Sequence, residues 1–361
     1  MSTFNICFVK SLVFRIFPVL RKTQKVNLSL GVFGLIEAQS GLMSEITRGF
    51  NREKIYKHQL KRFWRFLSNP RIKPERLMGF WIAFCLRRFC PGKTVVVALD
   101  WTTLPGNIQC LMLALPYHGR AIPLFWQLVP QWEIKDSQNR IEERLIAKFL
   151  TVLSENKRVI LTADRGFGRA SFVQFLLKKG VGFVLRVRGD VRVKPENKKA
   201  VLLRVLGKTL KPEVAVWLEN VSYRDDGVVP EINLAAVVAK GSDDPWFLVT
   251  NLKSQNKTIA TYQLRFQIEE WFKDLKHQLG ITDLQTKDLM RVRRLLFTAC
   301  VSYALLMLIG NLANRFPKMK EKIITKGKQI CSRIWLALEV VHRHLCGRTF
   351  WQKVWATGVS P

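Results

Sequence analysis

The sequence is poor in acidic side chains and in the side chains that hold metals through nitrogen or sulfur. Among 361 residues there are 27 Asp and Glu against 59 Lys and Arg, and only five histidines. The seven cysteines are scattered with no C-x-x-C pair, and the one close histidine pair, His342 and His344, is spaced too tightly for one helical face. These shortages argue against a zinc site or a disulfide framework. A hydrophobic content of 48% excludes a disordered chain.

The excess of positive charge is the strongest compositional signal. The formal net charge is +32, and residues 1–90 contain 17 Lys and Arg against four Asp and Glu. Such an excess indicates a polyanionic partner. We therefore predict that residues 1–90 form a basic helical DNA-binding region. In residues 53–69 cations alternate with apolar residues, which is typical of a helix with one packed face and one basic face. That basic face equally fits an ordinary solvated surface.

One apolar stretch, Leu295 to Ile309, raises the question of a membrane helix. It is shorter than the roughly 20 residues needed to cross a bilayer, and Arg291, Arg293 and Arg294 precede it. We predict a helix buried in a soluble core and no membrane partner. The N-terminal segment has Lys10 within its apolar stretch and is a poor signal peptide.

The middle of the chain has the pattern of a mixed α/β unit. A β-branched run, TVVVAL, closes on Asp100, and a second strand, RVILTAD, closes on Asp164. Two further strands joined at 118–120 follow the first run, and helices flank the second. Carboxylates that end neighbouring strands meet at the ligand-binding edge of such a sheet. Either aspartate alone would fit a simple cap or turn residue.

The chain is predicted to divide into four regions around this unit. Residues 1–90 form the basic helical region, and residues 91–189 with 252–285 form the α/β core. Residues 190–251 carry short strands and form a β-rich insertion. Residues 286–361 form a basic helical C-terminal region.

The most specific segment is a helix at residues 257–279. Tyr262, Arg265, Glu269 and Lys276 fall at offsets 0, 3, 7 and 14, which places them on one helical face. Glu269 could supply an oxygen ligand, whereas Arg265 and Lys276 are suited to phosphate. An ordinary i,i+4 ion pair between Arg265 and Glu269 fits the spacing equally well.

The pattern Tyr-x2-Arg-x3-Glu-x6-Lys resembles a signature of DDE transposases of bacterial insertion sequences, the insertion sequence four type. The resemblance covers about residues 93 to 310. Four further motifs carry it: LDWTTL at 99–104, TADRGFG at 162–168, PWFLVTNL at 245–252 and GITDLQTKD at 280–288.

The resemblance implies a ribonuclease-H-like fold with a β-strand insertion and helical flanks. By resemblance, Asp100, Asp164 and Glu269 are the catalytic residues and metal ligands. They would hold two Mg²⁺ or Mn²⁺ ions, which favour oxygen ligands. The resemblance further implies that DNA is contacted by a second set of residues: Tyr262, Arg265, Lys276, Arg165 and Trp246. Trp246 matches a tryptophan that stacks on a flipped base, although its motif equally fits a core strand and Trp217 is an alternative.

The activity implied is cut-and-paste transposition through a nick, a hairpin and strand transfer. The partners would be double-stranded DNA, as terminal inverted repeats and target, and a second copy of the chain in a synaptic complex, in the bacterial cytoplasm at the nucleoid. Three alternatives stay open at this point. They are a non-catalytic basic DNA-binding protein, a membrane-associated protein, and a ribonuclease-H-like nuclease without strand transfer.

Overall fold

The fold was analysed in a computed structural model. It describes residues 6–50, 55–135, 137–196, 199–223, 229–239, 244–317, 321, 323, 332–345 and 350–354. Cys331, Cys346 and much of the predicted C-terminal helical region beyond residue 317 lie outside these ranges.

Ten strands form one sheet in the order β3-β2-β1-β4-β5-β10-β9-β8-β6-β7. Their bounds are β1 Thr94–Leu104, β2 Ile108–Tyr117, β3 Arg120–Pro130, β4 Arg158–Ala163, β5 Gly182–Val187, β6 Arg192–Lys194, β7 Val201–Leu202, β8 Val216–Tyr223, β9 Val229–Val237 and β10 Trp246–Thr250. The pairs β1 with β4 and β4 with β5 are parallel, and the other pairs are antiparallel. The expectation of a mixed α/β chain with a large sheet is therefore confirmed.

The helices cover the sheet and extend to both ends of the described chain. Their bounds are α1 Ile6–Ile16, α2 Lys22–Ala38, α3 Met43–Arg48, α4 Tyr56–Leu67, α5 Met78–Phe89, α6 Gln138–Val152, α7 Ala170–Lys178, α8 Leu203–Gly207, α9 Gln255–Leu264, α10 Phe266–His277, α11 Leu289–Ala313 and α12 Arg333–His342.

Strand β1 is longer than the sequence pattern suggested. TVVVAL was expected to end at Asp100, but β1 continues to Leu104 because its second half pairs with β2, where Asp100 lies opposite Met112. On its other side β1 pairs with β4 only as far as Leu99 opposite Ala163. Asp100 therefore lies where the parallel pairing stops, and it faces the start of the loop that follows β4.

The strands of the predicted insertion continue the same sheet. Strand β10 pairs with β5, and β9, β8, β6 and β7 follow outward from it. The hairpin predicted between β2 and β3 is present, with Gly119 at a positive φ of 78°.

The N-terminal helices share one hydrophobic core with the sheet and the C-terminal helices. Helices α2 and α3 are separate because Gln39 adopts a left-handed conformation with φ 50° and ends α2. Helix α4 is fixed to α11 by Arg294, which is 2% exposed and donates to the carbonyls of Leu67 and Ile72 at 2.7 and 2.8 Å.

Helix α11 is the one described helix that is long and apolar enough to cross a membrane. It has 25 residues, and 94% of its most apolar window is buried within the protein. The predicted core helix is thus confirmed. The length argument for it was wrong, because the helix begins at Leu289 and ends at Ala313. Arg293 and Arg294 donate to backbone carbonyls and Arg291 donates to the Ser68 hydroxyl, so the helix includes all three.

Candidate active site

Asp100 is a partly buried acid in the middle of β1. Its side chain is 24% exposed, and its Oδ1 accepts a hydrogen bond from the backbone N–H of Trp101 at 2.8 Å. Burial raises the pKa of Asp100 from 3.8 to about 6, and the charges of Asp164 and Glu269 add to the rise, although Arg265 opposes it. The charges of Asp164 and Glu269 therefore both act on Asp100.

Asp164 directly follows β4 and begins the short 3-10 turn Arg165–Phe167. Its carbonyl accepts the N–H of Phe167 at 3.0 Å, which fixes the turn. Its Oδ1 is buried, and no hydrogen-bond donor reaches it among the described residues. Buried polar atoms are rarely left without a partner, so this oxygen marks a position for a cation or a donor.

Glu269 reaches the site from α10, and Arg265 lies between it and Asp100. Nη2 of Arg265 is 2.7 Å from Oε1 of Glu269, and Nη1 is 3.8 Å from Oδ2 of Asp100. The guanidinium is 5% exposed, whereas the Glu269 side chain is 43% exposed. The i,i+4 pair that the spacing allowed is thus present, and it forms part of the acidic cluster.

The expected single helix is divided at Arg265, which joins α9 to α10. The backbone of Arg265 stays helical, with φ −55° and ψ −40°, so the four signature residues keep a common direction. Arg265 is also stacked between aromatic rings, with its guanidinium carbon 4.5 Å from the Phe266 ring centroid and 5.6 Å from that of Tyr262. These contacts hold the guanidinium at the acids.

Electrostatics link the signature residues to one another. Burial lowers the pKa of Arg265, but the charges of Tyr262, Glu269 and Asp164 outweigh burial, so that pKa is raised overall. Burial raises the pKa of Tyr262, against the charges of Arg265 and Arg186. No well-aligned hydrogen bond reaches the buried Tyr262 hydroxyl within the described part of the chain. Both side chains are therefore in the protonated form at neutral pH.

The acids fit a metal by chemistry and by charge. Three carboxylates are the oxygen ligands that hard divalent ions prefer, and the raised pKa of Asp100 and the unpaired Oδ1 of Asp164 both call for added positive charge. In the described residues, however, no three acidic, histidine or cysteine side chains already enclose an ion position. The Arg265 guanidinium supplies the local positive charge instead.

The other predicted DNA contacts differ in exposure. Arg165 is exposed beside Asp164, and its Nη1 lies 3.8 Å from Oδ2 of Asp244. Lys276 is half-buried near the end of α10, and no carboxylate pairs with it among the residues described. Arg165 thus directly follows Asp164 in the chain, and Lys276 lies seven residues after Glu269 on α10.

Trp246 is in a buried position at the start of β10. It is 8% exposed and belongs to a small cluster with Tyr262 and Leu248, against which Trp217 packs. Its ring centroid lies 4.9 Å from that of Tyr262 and 5.7 Å from that of Phe266. The indole therefore touches the signature helix, and it would have to leave this cluster to stack on a base.

A buried ion pair behind Asp100 was missed in the sequence. Glu142 is fully buried, with Oε1 accepting from Trp101 Nε1 at 3.0 Å and Oε2 lying 2.5 Å from Nη1 of Arg169. This pair fastens β1 beside Asp100 to the loop after Asp164. The sequence does contain a signal for this buried acid, because Glu142 falls on the apolar face of α6 with Leu145 and Phe149.

Residues 91–305 match a family model described as a transposase DDE domain. The match covers more than half of the chain and includes the strands and helices that carry the three acids. No curated protein matches the chain.

Proposed function

The chain belongs to the transposase family defined by this DDE domain, and from that premise we propose that it cuts and joins DNA at the ends of an insertion sequence. Members of the family act on DNA and generally use divalent metal ions. The proposal is supported by the ion pairs that join Asp100 and Glu269 through Arg265, and by the position of Asp164 directly after β4, which pairs with the half of β1 that precedes Asp100.

We propose that these three carboxylates hold two Mg²⁺ or Mn²⁺ ions. Such ions, when bound, activate an attacking oxygen and stabilise the leaving oxygen of a phosphate. Asp100 and Asp164 are fixed by the sheet and by the Glu142–Arg169 pair, so they provide the rigid part of the site. Glu269 is more exposed, and among the described residues its ion pair is with Arg265, so it is the adjustable part.

Arg265 and Lys276 would act on DNA phosphates from the same helical segment. A guanidinium can bind a phosphate bidentately, and an ammonium acts as a point charge. When a phosphate reaches the acids, Arg265 can exchange its carboxylate partners for phosphate oxygens without leaving its aromatic stack. Tyr262 keeps its proton, but it is fully buried beside Trp246, so its hydroxyl would have to be uncovered before it donates a hydrogen bond to the same strand.

Finer features of the family are part of the proposal. The strand order β3-β2-β1-β4-β5, with parallel pairing from β1 to β5, supports a ribonuclease-H-like core. The strands of residues 190–251, placed between the second acid and Glu269, support the insertion sequence four type and a hairpin intermediate. We propose further that two copies act together on the terminal repeats and the target DNA, in the bacterial cytoplasm.

The direct test uses amide variants of the acids with labelled element ends and Mg²⁺ or Mn²⁺. Asp100→Asn, Asp164→Asn and Glu269→Gln should each lower the cleavage rate at least a thousandfold, because an amide cannot replace a charged ligand. DNA binding in chelator should change less than about threefold, since it depends on cations. Glu270→Gln, one residue away, serves as the matched control. Cleavage at the unaltered rate in any one acid variant would remove that residue from the site.

A further inference from the structure

A basic cleft lies beside the acids at the carboxyl end of β5. Its volume is about 520 Å³, within the range of roughly 300–1,000 Å³ common for ligand sites. Five cations line it: Arg165, Arg186, Arg188, Arg204 and Lys208. Two carboxylates, Asp190 and Asp244, also line it, so the walls carry a net charge of about three positive units.

The cleft is built by close backbone packing. The N–H of Arg204 donates to the carbonyl of Gly189 at 2.7 Å, which fastens the start of α8 to the turn after β5. At the other end of α8, a Cβ added to Gly207 would lie 2.9 Å from the Phe247 ring. Only glycine allows this approach. The backbone that carries Arg204 and Lys208 is therefore held against the cleft.

One carboxylate already occupies the entrance. Asp244 Oδ2 lies 2.6 Å from Nη2 of Arg186 and 3.8 Å from Nη1 of Arg165, and it is 63% exposed. Arg186 is only 13% exposed and is thus held in place. Two guanidinium groups that converge on one exposed anionic oxygen form an arrangement that suits a phosphate.

Three cations of the cleft are open to solvent. Arg188, Arg204 and Lys208 are exposed, and none of them pairs with a carboxylate among the residues that the structure describes. Repulsion between unpaired cations around one cleft is relieved when an anion enters. The cleft thus favours a ligand with more than one negative group.

The cleft is continuous with the site of the acids. Arg165, in its wall, directly follows Asp164, and the charge of Arg186 acts on Tyr262 of the signature segment. We infer that this cleft binds the backbone phosphates of the DNA strand next to the phosphate being cut, with Asp244 displaced from Arg186 by a phosphate. The inference rests on the proposed function for the identity of the ligand.

The test compares two variants that each remove three positive charges. The cleft variant is Arg188→Gln/Arg204→Gln/Lys208→Gln. The control is Arg158→Gln/Lys178→Gln/Lys179→Gln, whose residues are exposed at the opposite edge of the sheet, where β4 begins and α7 ends. Affinity for a labelled DNA duplex is measured in chelator over a range of salt concentrations.

Each lost phosphate contact lowers the slope of log K against log salt by about 0.9. The cleft variant should therefore lose about two to three units of slope, and the control less than about one. Equal slopes in the two variants would overturn the inference. Circular dichroism and melting curves check that both variants are folded.

A second variant changes affinity in the opposite direction. Asp244→Asn removes the carboxylate that competes with phosphate, so DNA should bind more tightly, and unchanged or weaker binding counts against the cleft. Melting in inorganic phosphate against chloride at equal ionic strength separates the two sources of phosphate. One outcome would make the cleft a site for free anions and overturn the inference. Inorganic phosphate would stabilise the wild type but not the cleft variant, while the cleft and control variants would have equal slopes of log K against log salt for DNA.

These measurements are independent of catalysis, because chelator is present throughout. If the wild type binds DNA with the expected slopes of log K against log salt but never cleaves it, the proposed function is wrong. The assignment of the cleft to DNA phosphates would still hold.

Discussion

The Arg265 guanidinium lies beside the three acids and forms ion pairs with two of them. It pairs closely with Glu269 and more loosely with Asp100, and it stacks on Phe266. This arrangement limits but does not cancel the effect of burial, which together with the charges of Asp164 and Glu269 raises the pKa of Asp100 to about 6. The site therefore stores unfavourable electrostatic energy in the absence of a bound cation.

That stored energy predicts a stabilising substitution. The pKa of Asp100 is higher in the folded chain than its ordinary 3.8, so the folded state binds the proton more tightly. The resulting penalty is absent below about pH 3.8, grows as the pH rises to about 6, and is constant above it. Asp100→Asn should therefore raise the free energy of unfolding at pH 7.5 by on the order of 1–2 kcal/mol.

Denaturant unfolding in chelator measures this effect. The gain of Asp100→Asn over the wild type should shrink when the pH is lowered from 7.5 to 5. A variant that is less stable than the wild type at pH 7.5, or a gain that grows on acidification, would contradict the cost assigned to burying the charged Asp100 carboxylate.

Trp246 offers a second prediction, about positioning. If the indole stacks on an extruded base, its loss should leave the first nick intact and slow hairpin closure by about ten- to a hundredfold, since such stacking contributes roughly 1–3 kcal/mol. Because the indole is buried, Trp246→Ala would also leave a cavity that costs about 3–5 kcal/mol. Trp246→Phe fills most of that cavity and is the better variant.

The measurement follows nicked and hairpin DNA over time for Trp246→Phe, with Trp217→Phe as the matched control. Accumulated nicks with few hairpins support stacking by Trp246. Equal loss of both products would assign Trp246 to the core, and selective loss in the control would transfer the role to Trp217.

At the residue scale, Asp100, Asp164 and Glu269 were predicted from strand ends, from helical spacing and from the family resemblance. Asp164 does follow the end of β4, but Asp100 lies within β1 and not at its end. The placement of Arg265 between the acids, the burial of Trp246 and the Glu142–Arg169 pair depend on contacts between distant elements, which no local pattern encodes.

At the scale of elements, glycines set how closely helices approach. A Cβ added to Gly310 of α11 would lie 2.0 Å from the carbonyl oxygen of Arg333 at the start of α12, whereas Gly79 of α5 has no atom within 4 Å of such a Cβ. Helix α12 therefore packs directly on the backbone of α11.

Gly310→Ala should lower the free energy of unfolding by about 1–3 kcal/mol, because the methyl group forces α12 away. Gly79→Ala should leave stability unchanged or raise it by up to about 1 kcal/mol, since alanine is the better helix former. Thermal or denaturant unfolding of the two variants measures this difference. Equal changes in their free energies of unfolding would show that α12 does not pack on α11 at Gly310.

The element boundaries show where local patterns stop being informative. The bounds of β2 agree with the apolar run IQCLMLALPY at residues 108–117, because turn residues flank that run on both sides. Strand β1 and helix α11 extend beyond their patterns, since pairing with β2 and burial in the core favour the extra residues. Helix α2 ends at Gln39 because this residue adopts a left-handed conformation, which no local sequence pattern predicts.

At the scale of the whole molecule, charge governs how the protein meets DNA. With a net charge of +32, its affinity for duplex DNA should fall steeply with salt, at about 0.9 units of log–log slope for each phosphate contacted. Fluorescence anisotropy between low and moderate ionic strength gives that slope. A nearly flat line would refute an electrostatic binding surface of this size.

The position of Glu269 late in the chain has a consequence for incomplete synthesis. Asp100 and Asp164 precede β10, whereas α10, which carries Glu269, follows it. A ribosome that stops before residue 255 therefore releases a cationic fragment that lacks Glu269. If Glu269 acts as we propose, such a prematurely ended product cannot nick the chromosome of the cell that made it.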